Sequence, residues 1–136
     1  MDLVKSMMIA ASGLKAQTGR MRVIAENLAN SSSVAQSPGG DPYQRRIPTM
    51  VSQFDRELGA WLVRSGKPVA DRSDFSMRYI PGHPAADDKG YVRAPNVNSL
   101  VETTDMREAQ RSYQANLNVI TAARRMMQRT IEILRV

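Results

Sequence analysis

The residues best suited to chemistry in this chain lie close together, between positions 83 and 88. His83, the only histidine, stands between Gly82 and Pro84, and Asp87-Asp88 precede a lysine and a glycine. An imidazole can act as a general base near neutral pH, and paired carboxylates can bind a cation. However, a histidine in a Gly–Pro turn is typical of a solvated residue, and aspartates beside glycine are typical of turns.

Other catalytic signals are missing from the sequence. The chain has no cysteine, which excludes a disulfide framework, a zinc–thiolate site and a thiol nucleophile. It also lacks a glycine-rich phosphate loop, metal-ligand spacing and a nucleophile elbow. We therefore predict a protein that is not an enzyme and has no catalytic residues, cofactor or metal. An enzyme would have to act through His83 or Asp87-Asp88.

Two long amphipathic helices are predicted at the ends of the chain. In both, apolar or small residues recur in steps of three and four, which is typical of helices that pack along a seam. This pattern predicts helices over about 4–30 and 100–134, packed against each other. We expect Leu14, Met21 and Leu28 to contact Ile120, Ala123 and Met127, or their equivalents in a neighbouring subunit. The first seam comprises Val4, Met7, Ala11, Leu14, Thr18, Met21, Ala25 and Leu28; the second comprises Met106, Ala109, Tyr113, Asn116, Ile120, Ala123, Met127, Thr130 and Leu134.

The two helices differ in their local signals. Ser99 and Glu102 match a capping box four residues after Pro95, which predicts a sharp start for the second helix. Gly13 and Gly19 each cost a helix about 1 kcal/mol relative to alanine. We therefore expect the first helix to be poorly ordered until it packs against a partner.

The middle of the chain is rich in turns and short strands. All seven prolines lie between residues 31 and 98. Strands are predicted within 43–54, interrupted at Pro48, over 61–63 and over 75–79. The predicted fold is α+β, mainly α, with a coiled-coil-like helix pair around a small β-rich module. The expected segments are 1–33, 34–98 and 99–136.

The early apolar cluster of the first helix is shorter than the core of a signal peptide, so we expect it to be mature helix. No apolar run approaches the ~20 residues that span a bilayer, and no membrane insertion is expected. A protein that leaves the cytoplasm would then need another route.

The net charge of +6 belongs to the terminal helices. Residues 1–30 hold four basic and two acidic side chains, residues 106–136 hold six and two, and the middle holds nine of each. A basic helix can bind nucleic acid, which salt-sensitive binding to a duplex would reveal. We favour the polar face of a packed helix, because the arginines are scattered and no nucleic-acid-binding motif accompanies them. No nucleic acid partner is expected.

Several stretches resemble one known family. Residues 25–33, Ala-Glu-Asn-Leu-Ala-Asn-Ser-Ser-Ser, resemble the signature that closes the N-terminal helix of bacterial flagellar axial proteins, which form the rod, hook and hook-associated structures. Residues 11–14 and 16–17 are similar to the start of that signature, and residues 111–116 resemble the family's Arg-x-Tyr-x-Ala-Asn motif. Ser33 replaces the threonine of many members. Residues 79–84, 87, 90–92 and 95–98 resemble the proximal-rod proteins of the basal body; another short proximal-rod type is the nearest alternative.

This resemblance implies a structural subunit of the bacterial flagellum basal body, in a hollow rod that crosses the periplasm and transmits torque to the hook. It implies export by the flagellar type III apparatus, and partners that are copies of the chain and other rod proteins in a helical tube. The terminal helices would line that tube, with the β-rich module outside. The expected assembly residues are Met7, Leu14, Met21, Asn27, Leu28, Asn30, Tyr113, Asn116, Ile120, Arg125, Met127 and Leu134.

Overall fold

The fold consists of two long helices and three antiparallel pairs of strands. A computed structural model describes residues 2–135. Along the chain the elements are α1 (Leu3–Asn30), β1 (Arg46–Ile47), β2 (Met50–Asp55), β3 (Ala60–Ser65), β4 (Val69–Ala70), β5 (Ser76–Tyr79), β6 (Tyr91–Ala94) and α2 (Ser99–Leu134). β1 pairs with β4, β2 with β3, and β5 with β6. The prediction of a mainly helical α+β fold is therefore confirmed.

The chain divides into two compact units that cut across the three segments expected from sequence. The first unit contains the chain through Met21, the range Thr49–Lys67 and the chain from Arg107 onward. The second unit contains Arg22–Pro48 and Pro68–Met106. Each unit thus combines helical residues with at least one pair of strands.

In the first unit, α1 and α2 pack in opposite directions with the β2–β3 hairpin beside α1. Arg20 forms an ion pair with Glu108 at 3.6 Å, and Gly13 lies against Asn116. The side chains that fill this unit are small. Ala10, Ala16, Ala60, Ala109 and Ala123 are all buried.

The second unit has a small apolar core beside the β5–β6 hairpin. Ala35, Ala85 and Val92 are buried together, and three partly buried residues pack against them, Val34, Ile80 and Ala86. The Ala35 N–H donates to the carbonyl of Arg93 at 3.1 Å, which ties the chain after α1 to β6. Strands are present where the sequence predicts them, and the split at Pro48 is confirmed because β1 ends before it and β2 begins after it. The alternation of Phe75, Met77 and Tyr79 with polar residues predicts a half-buried strand, whereas all four residues of β5 are exposed.

The start of α2 corrects the predicted capping box. Asn98 is the cap, because its Oδ1 accepts the N–H groups of Leu100 at 3.0 Å and Val101 at 3.4 Å. Ser99 is already the first helical residue. Glu102 does not turn back to the helix start, because its carboxylate is fully buried and accepts hydrogen bonds from Arg45 and Asn27 instead. A charge-assisted bond to a guanidinium is stronger than a bond to a neutral amide N–H.

Candidate assembly surfaces and a buried polar network

The predicted seam of α2 is the face that the structure covers. Ala109 and Ala123 are buried, and Met106, Tyr113, Asn116, Ile120 and Met127 are half-buried. The last two predicted positions, Thr130 and Leu134, are exposed. Apolar periodicity therefore located the packed face of α2 up to Met127.

The seam of α1 lies about one residue earlier than the sequence predicts. Ala10, Ala16, Val23, Ile24 and Asn27 are the buried positions of this helix. Val4, Ala11, Thr18 and Ala25 are exposed, and the other predicted members, Met7, Leu14, Met21 and Leu28, are half-buried. The prediction missed this offset because small or apolar residues occupy neighbouring positions of α1, such as Ala10 and Ala11 or Ile24 and Ala25, so periodicity does not distinguish the two faces.

The helix register within the chain also differs from the expected one. Gly13 faces Asn116, and Arg20 faces Glu108. Because Arg20 faces Glu108, the next residue, Met21, lies near the height of Glu108. Ile120 lies roughly 18 Å further along the axis of α2, at 1.5 Å per residue. Pairing of Met21 with Ile120 or Ala123 does not occur in the first unit. The equivalent pairing with a neighbouring subunit stays a prediction.

Two glycines allow neighbours to approach α1 closely. A Cβ atom on Gly13 would lie 2.9 Å from both Nδ2 and Oδ1 of Asn116. A Cβ atom on Gly19 would lie 2.5 Å from the hydroxyl of Ser65 in β3. These glycines therefore do more than weaken the helix, because they give α2 and β3 direct access to its backbone.

The β2–β3 hairpin is attached to α1 through polar contacts. The Val63 N–H donates to Ser12 Oγ at 3.2 Å, and Ser12 in turn donates to the carbonyl of Ile9 at 2.7 Å. On one face of the hairpin, the rings of Phe54 and Trp61 meet edge to face with centroids 5.4 Å apart. Both rings are largely exposed, with 64% of Trp61 accessible.

Asn27 is fully buried in the second unit and uses all its hydrogen-bonding capacity. Its Nδ2 donates to the carbonyl of Arg46 at 2.8 Å and to Glu102 Oε2 at 3.0 Å. Its Oδ1 accepts the Arg46 N–H at 3.0 Å and the Tyr43 hydroxyl at 2.9 Å. Each polar atom of this buried amide therefore has hydrogen-bond partners within the chain, as buried amides generally do, while its role in assembly stays a prediction. These partners hold the last turns of α1, the start of α2 and the segment before β1 together.

Arg45 extends this network from Glu102 to Asp71. Its Nε donates to Glu102 Oε1 at 2.6 Å, and its Nη1 donates to Asp71 Oδ2 at 3.2 Å. Asn96 closes the ring, because its Oδ1 accepts the Arg45 N–H at 2.7 Å and its amide donates to the Asp71 carbonyl at 3.1 Å. We call these groups, Tyr43, Arg45, Asn27, Asp71, Asn96 and Glu102, the polar network.

The network shifts the pKa values of three of its members. Burial raises the pKa of Tyr43 above its usual value, an effect that nearby Arg46 partly offsets. Burial alone would lower the pKa of Arg45, but its hydrogen bonds to Glu102 and Asp71 outweigh that effect and raise it. The pKa of Asp71 is lowered, first by the N–H and hydroxyl of Ser73 and then by Arg45.

Sequence reasoning found Asn27 and missed its partners. The local sequence predicts a capping role for Glu102, and nothing near Arg45 or Asp71 marks them as hydrogen-bond partners of a residue many positions away. Tyr43 was noticed only as the start of a strand. An arginine and a carboxylate far apart in sequence give no periodic signal, so only the fold reveals that they meet.

The predicted assembly residues Asn30 and Arg125 lie outside the polar network. The Asn30 amide donates to the carbonyl of Glu26 at 2.8 Å within its own helix, so it ends α1 locally. Arg125 is exposed and forms no ion pair with a described residue.

The residues best suited to chemistry have structural roles in turns. His83 Nδ1 accepts the Ala85 N–H at 3.1 Å, and Asp87 Oδ1 accepts the N–H groups of Lys89 and Tyr91. Both side chains thus stabilise turns.

The residues from 2 to 135 offer neither a metal cluster nor a membrane-spanning helix. They contain no group of three or more histidine, cysteine, aspartate or glutamate residues that could hold a metal ion. Neither α1 nor α2 is apolar enough over sufficient length to cross a membrane.

Comparison with known proteins places the chain in a family. Residues 88–133 match the family described as flagellar basal body rod FlgEFG protein C-terminal. The chain is 48% identical to the flagellar basal-body rod protein FlgC of Agrobacterium fabrum, over 93% of this chain and 91% of that protein. It is 40% identical to the protein of the same name from Escherichia coli, over 98% of each chain, and 35% identical to that from Aquifex aeolicus, over 97% of each. The chain therefore belongs to the family of flagellar basal-body rod proteins.

Proposed function

We propose that this chain is a structural subunit of the proximal rod of the flagellar basal body, where it transmits torque across the periplasm. The observation that supports this proposal most directly is the likeness along nearly the whole chain to rod proteins from three bacteria. The partners are other copies of the chain and other rod proteins in a tubular assembly. The segments 1–33 and 99–136, which contain α1 and α2, form the axial core, and 34–98 forms the inserted module.

The packing of α1 against α2 suits such a role. A subunit that carries load has to keep its helices in one register, and polar contacts fix register better than apolar ones, which tolerate slippage. Here the polar pairs are Arg20 with Glu108 and Asn27 with Glu102, and Gly13 leaves room for Asn116 at a third height. Each pair requires a specific partner at a specific height.

Complementation tests the structural role. The gene for this chain is introduced into an Escherichia coli strain that lacks its own basal-body rod protein FlgC, together with a variant lacking residues 107–136 as a negative control. We expect restored rods in purified basal bodies and restored rotation of tethered cells. Rods without this chain in them, in cells that express it stably, would refute the proposal.

Export is tested separately, because a subunit could be assembled by another route. We propose that the flagellar type III apparatus exports the chain. In a strain whose export apparatus is inactive, the chain should remain in the cytoplasmic fraction, whereas it should reach the periplasm or rod when the apparatus is intact. Equal amounts outside the cytoplasm in both strains would exclude this route while leaving the rod assignment intact.

A further inference from the structure

The last two turns of α2 extend past the start of α1. The two helices run antiparallel, and Arg20 of α1 lies at the height of Glu108 of α2. This register places Leu3, where α1 begins, at the height of about residue 126 of α2. No described part of α1 therefore lies beside residues 127–134. We call this segment the overhang, and at 1.5 Å per residue it is roughly 12 Å long.

The start of α1 is fixed by a cap. The Asp2 side chain accepts the N–H of Lys5 at 3.1 Å through its Oδ1, and the Asp2 carbonyl accepts the N–H of Ser6 at 3.0 Å. A capping carboxylate satisfies a backbone donor that the first turn of a helix leaves free. The difference in length between the two helices at this end is therefore a feature of the fold.

The overhang continues the packed face of α2. Met127, Ile131 and Leu134 follow one another in steps of four and three, on the same side of the helix as Asn116, which lies against α1, and Ala123, which is buried. Ile131 is 59% exposed and Leu134 is 78% exposed. The face of α2 that receives α1 along most of its length thus continues, apolar and uncovered, for two more turns.

α1 carries a matching set of residues on the side turned away from α2. Val4, Met8 and Ala11 also follow one another in steps of four and three, and all three are exposed. Gly13 and Arg20, which contact α2, lie on the opposite side of the helix. A helix at the surface of a soluble protein usually carries polar residues opposite its packed face. We call Val4, Met8 and Ala11 the exposed stripe.

We propose that the overhang of one copy of this chain packs antiparallel against the exposed stripe of a second copy. The choice of partner follows from continuity, because the face of α2 that receives one α1 helix within the chain would receive a second α1 helix from another copy. The two surfaces have the same length and the same spacing, so three apolar contacts form in a single register. They are Met127 with Ala11 of the partner subunit, Ile131 with Met8 of the partner subunit, and Leu134 with Val4 of the partner subunit.

This contact keeps both copies in the same orientation. α1 and α2 are antiparallel within the chain, and α2 of one copy is antiparallel to α1 of the next, so the two α1 helices run parallel. The register between copies differs from the register within a chain by about nine or ten residues, which displaces the second copy by roughly 14 Å along the axis. Because two different surfaces meet, each added copy leaves one of each free, and the contact does not end at two copies.

The contact is small. Three side chains from each copy bury well under the roughly 800 Å² per partner that is usual in stable complexes. Two isolated copies should therefore associate only weakly, and the contact gains strength when an assembly repeats it and holds the copies together through other surfaces. Covalent trapping is consequently a better measurement than sedimentation.

The absence of cysteine allows the contact to be trapped in the purified full-length chain. Val4→Cys combined with Leu134→Cys introduces two thiols that lie roughly 14 Å apart along the axis of one chain, too far for an internal disulfide. Mild oxidation should therefore give a ladder of covalent dimers, trimers and larger species. The matched control is Val4→Cys with Ile133→Cys. Ile133 is 74% exposed but lies on a different side of α2, and we expect several-fold less of the ladder.

A third double variant reports the direction of packing. Ala11→Cys and Leu134→Cys would meet if the overhang packed parallel to the exposed stripe, whereas antiparallel packing separates them by roughly 10 Å along the axis. We expect several-fold less of the ladder than from Val4→Cys with Leu134→Cys. Equal ladders from all three double variants, a stronger ladder from the variant at position 11, or no covalent species from any of them would overturn the proposal.

A charge placed in the contact tests its register. In the chain with Val4→Cys and Leu134→Cys, Ile131→Lys would bury an unpaired charge against Met8 of the partner subunit and should reduce the ladder several-fold. Adding Met8→Glu places a carboxylate opposite that charge and should restore most of it. Gln128→Lys, on a different side of α2, is the matched control and should leave the ladder unchanged. Circular dichroism at 222 nm checks that every variant keeps its helices.

This charge test also has clear contrary outcomes. A ladder that Ile131→Lys does not reduce, or that Gln128→Lys reduces equally, would refute packing through this face of the overhang. A loss that Met8→Glu does not restore would refute the register.

This inference deepens the proposed function, because it names the surfaces through which neighbouring copies associate, and its direction of packing rests on a tube of copies in one orientation. The trapping experiments use purified protein and need no flagellum. If the ladder is absent, the inference is wrong, whereas complementation of the rod-deficient strain can still succeed. If complementation fails, the ladder still shows that the two surfaces meet.

Discussion

Asn116 of α2 occupies the space that a side chain at position 13 of α1 would need. A Cβ atom on Gly13 would lie 2.9 Å from the Asn116 amide atoms, closer than side chains approach in folded proteins. The Asn116 amide also donates to the carbonyl of Ser112 at 2.9 Å, which holds it in this position. Glycine at 13 and asparagine at 116 are therefore one structural feature.

Gly13→Ala tests this dependence. At an unobstructed helical site the change would stabilise by about 1 kcal/mol, but here it should lower the thermal unfolding midpoint because Asn116 must move. In an Asn116→Ala background the same change should raise the midpoint. Circular dichroism at 222 nm measures both. A higher unfolding midpoint for Gly13→Ala in the chain that retains Asn116 would show that Asn116 moves aside without a loss of stability.

Asn116→Leu should impair assembly rather than production of the subunit. Leucine is bulkier at its branch point than the space over Gly13 allows, so the helices must separate or slip. We expect normal expression and export with reduced swimming. Asn118→Leu, at an exposed position of the same helix, is the matched control. Unchanged swimming in Asn116→Leu would make the amide incidental to assembly.

The ion pair between Arg45 and Glu102 should be costly to break from one side. Arg45→Met leaves the buried carboxylate of Glu102 without its charged partner. Breaking a buried ion pair from one side typically lowers the free energy of unfolding by about 3–5 kcal/mol, and we expect a loss of that order here. The double variant Arg45→Met with Glu102→Met should recover most of that loss, because it removes both charges. Urea unfolding of the purified chain measures each variant. A double variant no more stable than Arg45→Met would mean that the charges themselves are required.

Acid should weaken the polar network through Asp71. The pKa of this carboxyl is lowered in the folded chain, so the folded state binds its proton less readily than the unfolded state. The stabilisation is therefore present above the unfolded pKa of about 3.9 and is lost as pH falls through the lower folded pKa. Asp71→Asn should show less loss of stability between about pH 5 and pH 3, measured by urea unfolding. Asp74→Asn, at an exposed position nearby, should behave like the unchanged chain; equal acid sensitivity of all three would exclude this role.

Charge near the end of α2 should contribute to partner choice. Arg124, Arg125 and Arg129 are exposed and close in sequence, but none of them lies in the last turn of α2, where the helix dipole stabilises positive charge. We expect Arg125→Glu to block rod assembly, and a charge reversal in an adjacent subunit to restore it, because complementary charges fix register. Arg125→Gln removes the charge without reversing it and should have a smaller effect. Normal swimming of cells that carry Arg125→Glu would show that this arginine lies on a solvated face and does not contribute to partner choice.

Local patterns predicted the elements of this fold better than their contacts. Proline placement and 3–4 periodicity located both helices to within a residue or two, since these signals act over a few neighbouring positions. The buried face of α2 followed from its periodicity, because Ala109, Ile120 and Ala123 are apolar. The buried face of α1 did not, because neighbouring small or apolar residues, such as Ile24 and Ala25, give this helix two similar faces.

The polar network was the least predictable part of the site. Asn27 is one of the predicted assembly residues, but its hydrogen-bond partners come from segments 16 to 75 positions away. Glu102 carries a strong local signal for capping, and that signal was outweighed by a guanidinium brought close by the fold. A propensity describes what a residue does with its neighbours in sequence, whereas a buried carboxylate takes the strongest donor within reach.

The close contacts at Gly13 and Gly19 also limit how this protein can be engineered. Replacing helical glycines by alanine is a standard route to thermostable variants, since it restricts the unfolded chain. Here both positions are already occupied from outside, by Asn116 on one side of α1 and by Ser65 on another. A heat-resistant version of this subunit would have to keep its two least helix-forming residues and obtain its extra stability elsewhere.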